Sequence, residues 1–159
     1  MTNCTFSIRP FNSSDNVVIR EVYRDAILSQ GASFYSTQQI DAWASLASLP
    51  QILDRSLNEG SGWVVIDNQN IEAFALRYPS NHLDLLYCRG RSSRKGYGTS
   101  LIKRIEYDAY QEGVKTLLTE ASLFSYSLLL SCGWKEQSID KILIGGVSFY
   151  HYRMFKHLQ

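Results

Sequence analysis

The six residues Arg94-Lys95-Gly96-Tyr97-Gly98-Thr99 constrain this chain more than any other stretch. They lie between an apolar run of strand character, Leu83 to Cys88, and a long segment with the spacing of an amphipathic helix. Two glycines one residue apart permit positive φ and a close approach of the backbone to a ligand. The helix start adds aligned amides equivalent to about half a positive charge. Cations, glycines and a helix N-terminus together make a cradle for phosphate, so a pyrophosphate-bearing ligand is expected. A turn that merely reverses the chain needs one glycine at most.

Two familiar nucleotide loops fail on spacing. A Walker A loop needs G-x-x-x-x-G-K-[ST]. Here Gly90 is six residues before Gly96, and Tyr97 stands where lysine belongs. A dinucleotide fingerprint needs a third glycine or alanine, but Leu101 occupies that place, and no βαβ unit opens the chain.

Bulk properties narrow the class. The chain of 159 residues is read as one domain, 1–159, able to bury a core without staples. With 45% apolar and 19% charged residues it reads as globular rather than disordered. A net charge of +1 gives no global field to recruit nucleic acid or an anionic membrane, so neither is expected as a partner. Cys4, Cys88 and Cys132 are odd in number, far apart and without CxxC spacing. That argues against a disulfide scaffold or a metal site and for a reduced compartment. Met1 to Pro10 holds no apolar signal core and no run approaches membrane-spanning length, so a cytoplasmic protein is expected.

Along the chain, Thr5 to Phe11 alternates like a strand. From Asp15 onward Val18, Ile19, Val22, Tyr23, Ala26 and Ile27 make one helical face, with Gly31 as a stop. Ser36 or Thr37 can cap a short helix carrying Ile40, Ala42 and Trp43, and Pro50 opens another helical piece. Gly62 to Ile66 and Ile71 to Tyr78 flank Asp67-Asn68-Gln69-Asn70 as a hairpin. His82 to Cys88 is a strand. After the glycine loop, Leu101, Ile102, Ile105 and Ala109 line one helical side, while Lys103, Arg104, Glu106, Asp108 and Glu112 face water and Gly113 stops the helix. Thr116 to Glu120 reads as a strand and Leu123 to Ser131 as a helix ending at Gly133. Lys141 to Ile144 and Val147 to Phe155 flank Gly145-Gly146, a hairpin signal.

These elements, in this order, resemble the GNAT superfamily of acyl-CoA-dependent N-acetyltransferases over essentially the whole chain. The strongest section runs from Leu83-Asp84-Leu85-Leu86-Tyr87-Cys88 through the glycine loop to Glu120-Ala121-Ser122 and Cys132-Gly133-Trp134. Of the family's phosphate motif [QR]-x-x-G-x-[GA], Gly96 and Gly98 match. Ser93 stands where Gln or Arg is usual, and Gly90 where proline is frequent. The resemblance implies an α/β (α+β) GNAT fold, a mixed but mostly antiparallel sheet of six to seven strands flanked by about four helices.

The resemblance also implies acetyl-CoA as acyl donor, with no metal, and direct attack of a primary amine on its thioester. The donor would lie beside the strand ending at Cys88. Leu86, Tyr87 and Cys88 would hold its pantetheine arm and polarise the carbonyl, and Arg94, Lys95, Gly96, Tyr97, Gly98 and Thr99 its pyrophosphate, with Ser122 at the following strand end. An ammonium of pKa ~10 needs a base before it can attack. His82 and Asp84, two apart on a strand and so expected on one face, are candidates, and Glu120 is a third. Each reads equally as a polar strand end or helix cap. Leu129 occupies the family's usual tyrosine position, and Tyr126, about one helical turn earlier, is a candidate replacement acid beside Tyr87. Cys88 reads as a small buried residue rather than a nucleophile.

Phe34, Tyr35, Trp43, Trp63 and Tyr150 are candidates to shape an acceptor pocket, which in this fold is usually built from segments matching Ser29 to Ser45 and Asp140 to Ser148. Tyr35 to Trp43 resembles a bacterial subgroup described only as acetyltransferases, and its single acid, Asp41, gives little reason to expect a polycation. A small amine or a peptide amine stays open. Two other readings stay open: a non-catalytic acyl-CoA-binding regulatory module, and an oligomeric scaffold, such as a homodimer, paired through the terminal hairpin.

Overall fold

A computed structural model describes residues 6–49 and 53–159. Cys4, Thr5 and Pro50 lie outside the described residues. The elements follow the expected order: β1 (Ser7–Pro10), α1 (Asn16–Gln30), α2 (Thr37–Ala44), α3 (Asp54–Glu59), β2 (Ser61–Asp67), β3 (Asn70–Arg77), β4 (Leu83–Cys88), α4 (Tyr97–Gln111), β5 (Thr116–Ala121), α5 (Tyr126–Ser131), β6 (Lys135–Ile144) and β7 (Val147–His157).

Local chemistry explains most boundaries. Ser36 caps α2 in a reciprocal capping box with Gln39, two orphan amides satisfied at once. Asn68 and Gln69 take positive φ, which gives the tight turn between β2 and β3 the twist a hairpin needs. Gly145 and Gly146 do the same between β6 and β7.

The strands form two antiparallel sheets, ordered β1-β2-β3-β4 and β5-β7-β6. They meet at one parallel bridge, His82 with Leu118, reinforced by Leu118 N–H donating to Asn81 O (2.9 Å) and Thr119 Oγ1 to Leu83 O (2.7 Å). Beyond these contacts no backbone hydrogen bond joins β4 to β5 among the described residues, and a wedge opens between them. This seven-stranded, five-helix arrangement matches the GNAT fold.

The sheet divides two cores. Alternation along β3 sends Phe74 and Leu76 to one side and Ala73 and Ala75 to the other. On the first side Ile19, Tyr23 and Ile27 of α1 and Trp43 of α2 pack against the sheet. On the second, Leu101, Ile102, Ile105 and Ala109 of α4 do, and the small alanines let that helix approach closely. Each large side chain buried this way contributes roughly 1.5–3 kcal/mol against its exposed state.

Three departures from the sequence reading have physical causes. β6 begins at Lys135, six residues before the expected Lys141, because Lys135-Glu136-Gln137-Ser138 lies on an edge strand with no apolar alternation to mark it. The helix expected from Leu123 starts only at Tyr126, since Ser122 turns the chain: its Oγ accepts from Phe124 N–H (3.2 Å) and its carbonyl from Tyr126 N–H (3.0 Å). Glu106 and Asp108 do not simply face water. Glu106 pairs with Lys156, and Asp108 accepts from Trp63 Nε1 (2.6 Å). Among the described residues no helix is long and apolar enough to cross a membrane.

Candidate active site

The glycine loop is shaped by backbone. Arg94 (φ 62°) and Gly96 (φ 83°) both take left-handed conformation, which turns the chain sharply into α4. Gly96 is the N-cap, and among the described residues no side chain caps this helix end, so its first amides are left for another acceptor. Gly98 is closely packed: a Cβ there would meet Leu128 Cδ2 of α5 at 2.6 Å, so that side chain would have to shift.

The cations around the loop divide into two kinds. Arg91 pairs with the buried Glu72 (2.5 Å), and Arg89 reaches Ile71 O (3.0 Å). Burial works against ionisation of Glu72, yet the Arg91 guanidinium and the Ser92 hydroxyl outweigh it and hold its carboxyl below the usual range. Arg94 and Lys95, both exposed, have no ion pair among the described residues. Tyr97 turns its ring inward against Phe6 and bonds Asp67, leaving only its backbone at the loop.

Beside this loop a cleft of about 760 Å³ runs along Leu86, Tyr87 and Cys88 and over Arg94, Gly96, Tyr97, Gly98 and Thr99. Eight of the ten residues expected to hold the donor therefore line one space. Lys95 lies just outside it in the loop, and Ser122 lines the neighbouring cavity. Burial pushes the Cys88 thiol up to about 11, so it stays protonated at neutral pH.

A second cavity, about 360 Å³, adjoins the first and shares Leu86, Tyr87 and Ser125 with it. Asp84 and Glu120 stand at its edge. A bulge explains how Asp84 reaches it. Arg77 pairs with Leu83 and Leu76 with Leu85, leaving Asp84 as the extra residue on β4. The phase flips there: Leu83 packs into the α4 core and Leu85 into the α1 core. The simple rule that residues two apart share a face therefore breaks within this strand. His82 and Asp84 nevertheless meet, with Nδ1 to Oδ1 at 3.7 Å.

His82 joins the acids. Its Nε2 bonds the Glu120 carboxylate, and its Nδ1 lies 3.2 Å from Tyr78 O. The Glu120 hydrogen bond raises the His82 pKa, burial opposes it, and the charges of Glu120 and Asp84 add to the rise. In return the His82 bond holds Glu120 below its ordinary value. Asp84 accepts a hydrogen bond from the buried Ser56 hydroxyl, which fixes it at the cavity edge.

Tyr126 is the expected site residue that the structure keeps apart. Its hydroxyl donates to Glu136 Oε1 (2.8 Å), its ring leans on Tyr152 (4.3 Å), and it lines neither cavity. Buried Leu129 lines the second cavity instead. Of the five aromatics expected at the acceptor pocket, Tyr35, Trp43 and Tyr150 line it, Phe34 lines the larger cleft, and Trp63 lies across the sheet over Asp108. Tyr23, Phe149 and His151 also line this pocket, without a mark in the sequence that sets them apart. Tyr23 was hidden in a core stripe. His151 becomes visible only once register pairs it with Asp140, 3.6 Å from its Nε2.

Comparison with known proteins agrees with this geometry. A family model described as an acetyltransferase (GNAT) domain matches residues 32–156. Among curated proteins no sequence matches the chain. A GCN5-related N-acetyltransferase structure from Rhodopseudomonas palustris superposes with a TM-score of 0.92 at 25% identity, covering 99% of each chain. The PaiA N-acetyltransferase of Thermoplasma acidophilum, crystallised with coenzyme A, superposes at 0.72 with 19% identity, covering 96% of this chain and 98% of that one. The ribosomal-protein-S18-alanine N-acetyltransferase of Escherichia coli does so at 0.67 with 15% identity, covering 96% and 94%. The last two establish the fold alone. A glycine loop on an uncapped helix, a wedge between two sheets and a family match over most of its length lead to one conclusion: the chain belongs to the GNAT acetyltransferase family and is a transferase.

Proposed function

We propose that the chain moves an acetyl group from acetyl-CoA to a primary amine by direct attack within a ternary complex. The observation that carries this is the wall of Leu86 and Tyr87 common to both cavities, a place where donor thioester and acceptor nitrogen can meet. The larger cleft has the volume, and its loop the amides and the cations Arg94 and Lys95, without a cap or an ion pair among the described residues, that a pyrophosphate needs. Among the described residues β3 is the one strand hydrogen-bonded along β4, and between Thr119 Oγ1 on Leu83 O and Gln30 Nε2 on Cys88 O (2.8 Å) the stretch of β4 at Leu86 and Tyr87 faces the donor's amide-bearing arm and its carbonyl.

His82, Glu120 and Asp84 serve the acceptor. The two carboxylates bind the ammonium, and the proton must then go to a group that can hold it. From an ammonium of pKa ~10, transfer to an ordinary carboxylate of ~4.3 costs ~8 kcal/mol, whereas an imidazole of ~6.5 costs ~5 kcal/mol. His82, with its value raised further by Glu120, is the better terminus, reached through Glu120 or through water. The amine attacks, the carbon–sulfur bond breaks, and the second nitrogen proton neutralises the departing thiolate, whose own pKa of ~8.5 makes a dedicated acid dispensable. Cys88, held as a thiol, takes no covalent part.

The chain acts as one cytoplasmic domain in this reading, with acetyl-CoA and an amine as its partners and no metal. Its described cysteines, Cys88 and Cys132, are free thiols. Thiol release from acetyl-CoA across a panel of amines tests the reading. Acceptor-dependent release is expected, and protein that binds coenzyme A yet turns over no amine would overturn it.

A further inference from the structure

The smaller cavity has two unlike kinds of lining. Asp84 and Glu120 supply its acids, with His82 between them. Its aromatic and aliphatic wall is made by Trp43, Tyr35 and Phe149, which contact one another edge to face or tilted (5.3–6.0 Å between ring centres), together with Ile142 and Ile144. Two polar atoms on that wall already have partners. Trp43 Nε1 donates to Tyr23 Oη (2.9 Å), and Tyr35 Oη accepts from Leu123 N–H (2.9 Å).

We infer that the acceptor is a small primary amine with an aromatic or branched apolar tail, its ammonium at Asp84 and Glu120 and its tail against Trp43, Tyr35 and Phe149. This deepens the transfer reading above and rests on it. Size is the first argument: about 360 Å³ is near the lower limit of ligand pockets, which span ~300–1,000 Å³, so one ring on a short chain fills it. Charge is the second. Among the described residues Asp84 and Glu120 are the only acids lining the cavity, so it offers one cation site. Asp140 is held by Arg153, and Asp41 is on the exposed side of α2. The second charge of a polyamine would be pressed unpaired against an apolar wall, a large penalty. A ring, in contrast, meets the edges and faces that aromatic side chains prefer to present.

Wild-type protein with acetyl-CoA is assayed by thiol release against 2-phenylethylamine and isoamylamine, and against ethylamine, ethanolamine, spermidine and a short peptide with a free N-terminal alanine. The first two should exceed ethylamine at least ~30-fold in kcat/KM, a margin typical of filling an apolar pocket. The other three should fall at or below ethylamine. Preference for ethanolamine, spermidine or the peptide, or a flat response to the tail, would overturn the inference. If no amine is turned over, the transfer reading fails, and calorimetric titration of coenzyme A-saturated protein decides the pocket alone. Tighter binding of 2-phenylethylamine than of ethylamine by ~30-fold supports it, and equal binding overturns it. In Ile144→Trp, which adds bulk at the apolar wall, the advantage of 2-phenylethylamine over ethylamine should shrink at least fivefold. An unchanged advantage would place the tail elsewhere and overturn the assignment.

Discussion

The two cavities meet at Leu86 and Tyr87 but are made of different material. The larger is a backbone site: a strand edge, a left-handed turn and an uncapped helix start, most of it contributed by one stretch between Leu86 and Thr99. The smaller is a side-chain site, assembled from α1, α2, β4, β5, α5, β6 and β7. Backbone recognition asks little of sequence beyond glycine where φ is positive or contact is close. Side-chain recognition depends on long-range pairing and register. The first should tolerate substitution of its side chains, and the second should not.

The sharpest break in that contrast is His82→Ala. Removing the proton acceptor should lower kcat ~10²–10³-fold, within the range for general acid–base groups, while affinity for coenzyme A stays unchanged. Parallel steady-state kinetics and calorimetry would read both. A parallel loss of cofactor affinity would mean that the two cavities are not separable.

Arg94→Ala with Lys95→Ala tests the other side. Neither cation has an ion pair among the described residues, so thermal stability should hold within a degree or two, as for surface changes generally. Coenzyme A affinity should drop about tenfold, and its salt dependence should flatten as the charges that attract phosphate are lost. Arg91→Ala should behave oppositely, lowering the melting temperature because buried Glu72 loses its guanidinium, with less effect on the cofactor. If the two sets of variants exchange phenotypes, the division of the loop's cations is wrong.

This division also accounts for what was legible beforehand. Residues 83–99 carry strand, glycines and helix start within a few positions of one another, so local rules reach the donor cleft directly. Element order and both hairpins were legible for the same reason. The bulge at Asp84 was not, because a register shift leaves no mark in the strand that carries it. Nor was the meeting of His151 with Asp140, which depends on the pairing of β6 and β7, nor the first half of β6, whose polar edge residues do not alternate. Tyr23 looked like core and is core, yet it also lines the acceptor cavity, and composition cannot separate those roles.

A smaller effect distinguishes a coupled base from an isolated one. His82 titrates above its ordinary ~6.5, so kcat/KM should climb as pH rises through that higher value and the imidazole becomes neutral. Glu120→Gln removes the largest cause of the rise and should move the inflection downward. Stability follows the opposite sense for the histidine: its contribution is complete below ~6.5 and is lost as pH rises through the folded value. The Glu120 contribution is present above ~4.3 and is lost as pH falls through its depressed folded value. Thermal melts of wild type and Glu120→Gln should therefore differ most between pH ~5 and ~6. A constant difference across pH would mean that the pair is not ionised in the folded protein.

The smallest expected effect is the most telling about what the fold leaves out. Leu129 stands where the family resemblance led us to expect tyrosine, and Tyr126, one turn away, directs its hydroxyl to Glu136 outside both cavities. That bond also raises the Tyr126 pKa, making the phenol a weaker acid than usual. With thiolate as the leaving group, little is gained by donating a proton early. Tyr126→Phe should change kcat by less than about twofold, below ~0.4 kcal/mol of barrier, and leave the pH profile in place. A drop of tenfold or more, with the alkaline limb of the profile lost, would show that α5 swings the phenol into the cleft during turnover and that the two cavities share an acid as well as a wall.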